Sequence, residues 1–118
     1  METLSENCVS VYKCLCDLGR LRILNLLRQG PLCGCHLQVA LEEPQPKVSK
    51  QLAYMKRHGL LVSTRRTNWT IFRLAEGLNP LLEKNLKCLQ DLAFQDPVFQ
   101  QDLARLAGIN TDPADCCD

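Results

Sequence analysis

Residues 60–74, LLVSTRRTNWTIFRL, limit the architecture more than any other stretch. They place β-branched and aromatic residues on both sides of Arg65-Arg66-Thr67-Asn68, the pattern of a β-hairpin with a basic tip. Elsewhere the apolar residues recur at helical spacing, so this hairpin belongs to a mainly α domain. Val9, Tyr12, Leu15 and Cys16 are followed by Leu21, Leu24 and Leu27, all at steps that share a helix face. Asp17 and Gly19 interrupt that run, which predicts two helices, the second capped near Asp17 and stopped at Gly30-Pro31.

A short third helix is predicted over residues 35–41, then a turn at Glu42-Glu43-Pro44-Gln45. Pro46 suits the first turn of a fourth helix, where its missing N–H is harmless. That helix runs to His58-Gly59, with Val48, Leu52 and Met55 on one face and Lys47, Lys50, Tyr54 and Arg57 on the other. Two short helices joined by a tight turn, the second basic outside, form a helix-turn-helix pattern, and the hairpin after them reads as a wing. Residues 78–94 are predicted helical again, with Leu82, Leu86, Leu89 and Ala93 on one stripe, and a last short helix after Asp96-Pro97 ends near Ala107.

The expected fold class is therefore mainly α with a small β-hairpin, a winged helix-turn-helix. Residues 1–107 are expected to form the DNA-binding and dimerisation domain, and residues 108–118 a flexible cysteine-containing tail. A chain of 118 residues, 46% apolar, supports one modest core that oligomerisation would help. A homodimer through the N- and C-terminal helices is expected, since one recognition helix spans only a few base pairs. No run of 18 apolar residues occurs and the N-terminus carries acids without an apolar segment, so no membrane partner and a cytoplasmic location are expected.

A net charge of +1 conceals a strong asymmetry. Residues 47–75 hold seven cations, among them Lys47, Lys50, Arg65 and Arg66, and no acid, while the other seven cations share the remainder with all 13 acids. A basic face on a near-neutral chain suits an anionic partner, here double-stranded DNA. On the fourth helix, Lys47, Ser49, Lys50, Gln51 and Tyr54 supply phosphate contacts and base-edge donors, and Arg65 and Arg66 can reach a flanking groove. No paired carboxylates, phosphate loop or nucleophile constellation is present, so the chain is not expected to be an enzyme and no organic cofactor or small-molecule substrate is implied.

Eight cysteines are many for a chain kept in a reducing compartment, which points to metal, metalloid or redox chemistry. They form the pairs Cys14/Cys16, Cys33/Cys35 and Cys116/Cys117, with Cys8 alone near the start and Cys88 read as a core residue. Thiols at i and i+2 lie about 200° apart around a regular helix, so gripping one ion with Cys33 and Cys35 would require that helix to deform. Gly34 between them would ease such a distortion.

The segments CDLGRLRILNLL, LCGCHLQVAL, QPKVSKQLAYMKRHGLL and WTIFRL, from Cys14 to Leu74, resemble the ArsR/SmtB family of winged-helix repressors in order and spacing. The QPKVSKQL helix is similar to that of the arsenic-responsive branch, which typically carries LCxCDLC just before it. That resemblance implies a homodimeric repressor released from its operator by As(III) or Sb(III). It assigns the first two metalloid thiolates to Cys33 and Cys35, and operator reading to Gln45, Lys47, Ser49, Lys50 and Gln51. The third cysteine and the aspartate of the branch pattern fall on Gln38 and His36, so a third sulfur must come from elsewhere. Cys116, Cys117, Cys14 and Cys16 are the candidates, and these four could instead make a separate thiol site. His36 is a poor ligand for a soft metalloid and reads as a capping or surface residue. The competing readings are a cadmium-, lead- or zinc-responsive repressor of the same family and a thiol–disulfide redox-sensing repressor.

Overall fold

The computed structural model describes residues 4–77 and 80–109. Among them the chain forms α1 (Leu4–Leu15), α2 (Leu18–Leu27), β1 (Leu32–Cys33), α3 (Gly34–Leu41), α4 (Gln45–Arg57), β2 (Leu61–Arg66), β3 (Trp69–Leu74), α5 (Pro80–Ala93) and α6 (Pro97–Ala107). The helix boundaries follow local chemistry. Asp17 caps α2 by accepting from the Arg20 N–H at 3.0 Å, and Asp96 caps α6 by accepting from the Val98 N–H at 2.9 Å. Pro46 and Pro97 occupy first-turn positions, as their fixed φ and missing donor favour.

The wing is larger than the hairpin that was expected. Its antiparallel sheet has the order β1-β3-β2, with Leu32 opposite Phe72 and Cys33 opposite Ile71. Two residues are too few to show a strand period, so β1 leaves no mark on the sequence pattern. At the other edge, Arg66 pairs with Trp69 across a two-residue turn in which Thr67 takes a left-handed φ of 44°.

The core is built around α2, whose residues from Ile23 to Leu27 are all buried. Leu37, Ala40 and Leu41 of α3 and Val48, Leu52 and Met55 of α4 pack into the same cluster, so the helix-turn-helix is held from beneath by α2. Of the α5 stripe, Leu82, Leu86 and Ala93 are buried within the chain's own fold and Leu89 is half-buried. Exposed large apolar side chains include Val9 and Tyr12 of α1, Leu92 of α5, Phe94 just beyond it and Val98 of α6. No helix among the described residues is long and apolar enough to cross a membrane.

A charge cluster ties α6 to this framework. Asp102 is fully buried and accepts from both Arg22 Nε at 2.9 Å and Arg22 Nη2 at 2.8 Å, and from Arg105 Nη2 at 2.8 Å. The same two arginines donate to the last carbonyls of α3: Arg22 to Leu41 O at 2.9 Å and Arg105 to Ala40 O at 2.6 Å. Those carbonyls lack intrahelical partners, so α2 and α6 together close the end of α3 and set where α4 begins. Asp102 is the fully buried anion that both guanidiniums share, and removing it takes the inner partner from each, so Asp102→Ala should lower the unfolding free energy by about 3–5 kcal/mol. Urea unfolding monitored by circular dichroism checks this, and a loss under about 1 kcal/mol would refute the structural role.

Candidate DNA interface and thiol site

Val48, Leu52 and Met55 are buried at helical spacing and anchor α4, which turns Gln45, Lys47, Ser49 and Lys50 to solvent. Gln45 Nε2 donates to Ser49 Oγ at 2.6 Å, so those two side chains are already paired on the exposed face. Lys47 meets Glu43 at 3.1 Å, and Arg22 reaches the same carboxylate at 3.3 Å. These cations, Lys47 foremost, hold the Glu43 carboxyl below the usual carboxylate range. Lys50 makes no ion pair among the described residues and is exposed in the centre of the face. Arg65 and Arg66 are exposed at the tip of β2.

Two residues expected on the outer face of α4 are turned to its underside. Gln51 donates through Nε2 to Asp17 Oδ1 at 3.0 Å and accepts at Oε1 from Arg20 Nη1 at 3.1 Å, which fastens α4 to the start of α2. Arg20 also donates to the end carbonyls of α1, Cys14 O at 2.7 Å and Lys13 O at 2.9 Å. Its guanidinium lies 4.2 Å from the centroid of the Tyr54 ring, a cation–π contact that leaves Tyr54 half-buried. Arg20 therefore joins three helices, a role that spacing along α2 alone does not reveal. Asp17, which caps α2 and also receives the Gln51 amide, is the one sequence signal that bears on it.

Cys33 and Cys35 come together without any deformation of a helix. Cys33 is the last residue of β1 and the N-cap of α3, with extended backbone at φ −70° and ψ 148°. Cys35 lies in the first turn of α3, and the two sulfurs are 2.7 Å apart. The 200° separation expected for i and i+2 does not apply, because it assumes both residues are helical. Gly34 has no left-handed φ; the Phe72 ring stands 3.5 Å from where its side chain would begin. Cys33 is buried and Cys35 half-buried. Together they line one end of a cleft of about 530 Å³, whose other walls include Leu52, Ala53 and Lys56 of α4 and Trp69 and Phe72 of β3.

The remaining cysteines are dispersed. Cys14 is fully buried in the core; burial pushes its thiol pKa up against the opposing pull of Arg20. Cys16 is exposed just beyond α1, Cys8 is partly exposed, and Cys88 is exposed on α5 rather than buried. Cys116 and Cys117 lie outside the described residues. Among the described residues no three His, Cys, Asp or Glu side chains converge, so neither Cys14 nor Cys16 joins Cys33 and Cys35 within one chain. His36, expected as a capping or surface residue, is buried in α3 with Nδ1 unpartnered, and burial lowers its pKa.

Comparison with known proteins agrees with the helix-turn-helix fold. The family model described as "Bacterial regulatory protein, arsR family" matches residues 14–63. The chain is 39% identical over 82 residues to the arsenic resistance transcriptional regulator ArsR1 of Pseudomonas putida KT2440, covering 69% of this chain and 64% of that protein. It is 40% identical over 68 residues to the arsenical resistance operon repressor of Escherichia coli K12, covering 57% and 58% of the two chains. It thus spans less than two thirds of the length of these two relatives. Against the arsenic resistance transcriptional regulator ArsR2 of the same Pseudomonas strain it is 35% identical over 94 residues, covering 72% of this chain and 82% of that one. The solved structure of HlyU from Vibrio cholerae N16961 matches with a TM-score of 0.70 at 26% identity, covering 80% of this chain and all 100% of that one. With relatives that are transcriptional regulators rather than enzymes, and with a helix-turn-helix and wing in family order, the chain belongs to the arsR family of bacterial regulatory proteins.

Proposed function

We propose that this chain is an arsenic-responsive repressor that binds operator DNA as a homodimer and is released when As(III) or Sb(III) binds Cys33 and Cys35. The observation that carries the reading is the 2.7 Å contact between the two sulfurs at the junction of β1 and α3. That junction adjoins both DNA-facing parts: β1 pairs with the wing strand β3, and α3 leads through its αL turn at Glu42 into α4. A soft trivalent ion chelated there occupies the space between them and favours a wing-to-helix arrangement other than the one that fits the grooves. A differential affinity of a few kcal/mol between the two arrangements is sufficient for release. The third bond of an inorganic ion falls to a sulfur outside this pair. Cys16 of a second subunit, Cys116 and Cys117 suit that role better than Cys14, whose buried thiol resists ionisation.

Gln45, Lys47, Ser49 and Lys50 are assigned to operator contact, with Arg65 and Arg66 on flanking phosphates or the minor groove. Gln51 and Tyr54 contribute by fixing the angle of α4 against α2. The paired sulfurs favour one other reading, a thiol–disulfide switch at the same position. Release by peroxide in a gel shift without reductant, together with no release by arsenite in the assay below, would establish that reading instead.

In a gel-shift titration under reducing conditions, Cys33→Ser and Cys35→Ser are expected to bind operator like the wild type and to lose release by arsenite. Retained release in both variants would move the sensing site to the other cysteines. Lys50→Ala is expected to weaken operator binding by about 1–3 kcal/mol, the range for a base-edge contact, with arsenite binding unaltered. An unchanged dissociation constant across salt concentrations would remove Lys50 from the interface.

A further inference from the structure

The thiol pair takes up one end of the cleft between α4 and the wing, and none of the residues lining that cleft is acidic. On its α4 side, Ser49, Ala53 and Lys56 stand at i, i+4 and i+7, a stripe separate from the one formed by Lys47, Lys50 and Arg57. Lys56 is exposed and makes no ion pair among the described residues. On the wing side, Ser63 stands opposite Phe72 and Arg65 opposite Thr70 in the β2–β3 register. Side chains alternate along a strand, so Ser63, Arg65, Thr70 and Phe72 share the face turned to α4, while Arg66 and Arg73 belong to the other face. The space between helix and wing is about 530 Å³, enough for more than a single ion, since small-molecule sites span roughly 300–1,000 Å³.

We propose that this cleft is the seat of one DNA backbone strand, whose phosphates are held by Lys56 and Arg65 from its two sides, with Ser49, Ser63, Asn68 and Thr70 as neutral donors. This rests on the reading of α4 and the wing as the operator-binding face and adds what lies between them. Groove geometry carries the assignment. The major groove that admits a helix is divided from the neighbouring minor groove by a single sugar–phosphate strand. With α4 in the first groove and the tip of the wing in the second, that strand runs through the gap between the two. A polyanion crossing a gap without carboxylates meets two cations, and hydroxyls and an amide complete its contacts, as they do in protein–DNA interfaces generally. Phosphate contacts carry no base preference, so Lys56 contributes to affinity for any sequence, whereas Lys50 contributes to the choice of one. Cys33 and Cys35 line the same cleft, so the strand covers them in the complex and leaves them accessible in the free protein.

Reduced full-length protein and its Lys56→Ala, Lys56→Arg and Lys50→Ala variants are titrated across a salt series with two duplexes, the upstream region of its own gene and a random sequence. Lys56→Ala should lower the slope of log affinity against log salt by about 0.9, the value for one phosphate contact, and weaken both duplexes by the same factor. Lys56→Arg should restore the slope, and Lys50→Ala should weaken the upstream duplex more than the random one. A second measurement needs no variant. Iodoacetamide alkylation of Cys35, read by mass spectrometry, should be lost when either duplex saturates the protein, while exposed Cys88 on α5 keeps its rate. An unchanged salt slope in Lys56→Ala with Lys50→Ala still impaired, or Cys35 alkylated in the complex as fast as in the free protein, overturns the cleft assignment and leaves the DNA-binding reading intact. Failure of the wild-type protein to bind either duplex overturns both.

Discussion

A carboxylate without water around it governs the shape of this protein. Asp102 is buried at the centre of α6 and, among the described residues, is paired with Arg22 and Arg105. In so apolar a setting an unpaired charge is costly, so these three side chains have one acceptable arrangement. Because the two arginines also hold the carbonyls of Ala40 and Leu41, that arrangement fixes the end of α3. The turn into α4 follows, and with it the direction of the basic face. Glu43 continues the chain of charges outward, linking Arg22 to Lys47 on the exposed side of α4.

A second tether, independent of the first, acts further along α4. Arg20 joins the end of α1, the underside of α4 through Gln51, and the Tyr54 ring. The recognition helix is thus held at its start by the Asp102 cluster and near its middle by Arg20, with Val48, Leu52 and Met55 filling the space between. A helix so constrained moves as a unit with its supports. Under the proposed function, a ligand at the β1–α3 junction, which bears on the wing and on α3 together, would need only to shift their mutual position.

Much of the fold was legible in the sequence because its determinants are local. Asp17 and Asp96 cap the helices they precede, Pro46 and Pro97 open helices, and the buried set Val48, Leu52 and Met55 follows the 3.6-residue period. Arg65 to Asn68 lie at the end of a hairpin, as the flanking β-branched and aromatic residues require. Where the structure departs from the pattern of the sequence, contact between residues far apart in the chain is the main reason. Gln51 looked like a base-reading side chain because its partners Asp17 and Arg20 lie more than thirty positions away, |i−j| being 34 and 31. The leucine stripe of α5 looked free because what covers it belongs to other elements, and Cys88 looked buried because thiols usually are.

The thiol pair divides the two kinds of information most clearly. By itself the sequence determined that two sulfurs stand one glycine apart just ahead of a basic recognition helix, and that the third position of the familiar pattern is Gln38, because those are facts of residue type and order. Only the tertiary structure decided that the sulfurs meet. Pairing of Cys33 with Ile71 draws it into an extended strand, and the helix starts one residue later. Their approach thus depends on a strand more than thirty residues downstream, and no local spacing rule contains that contact.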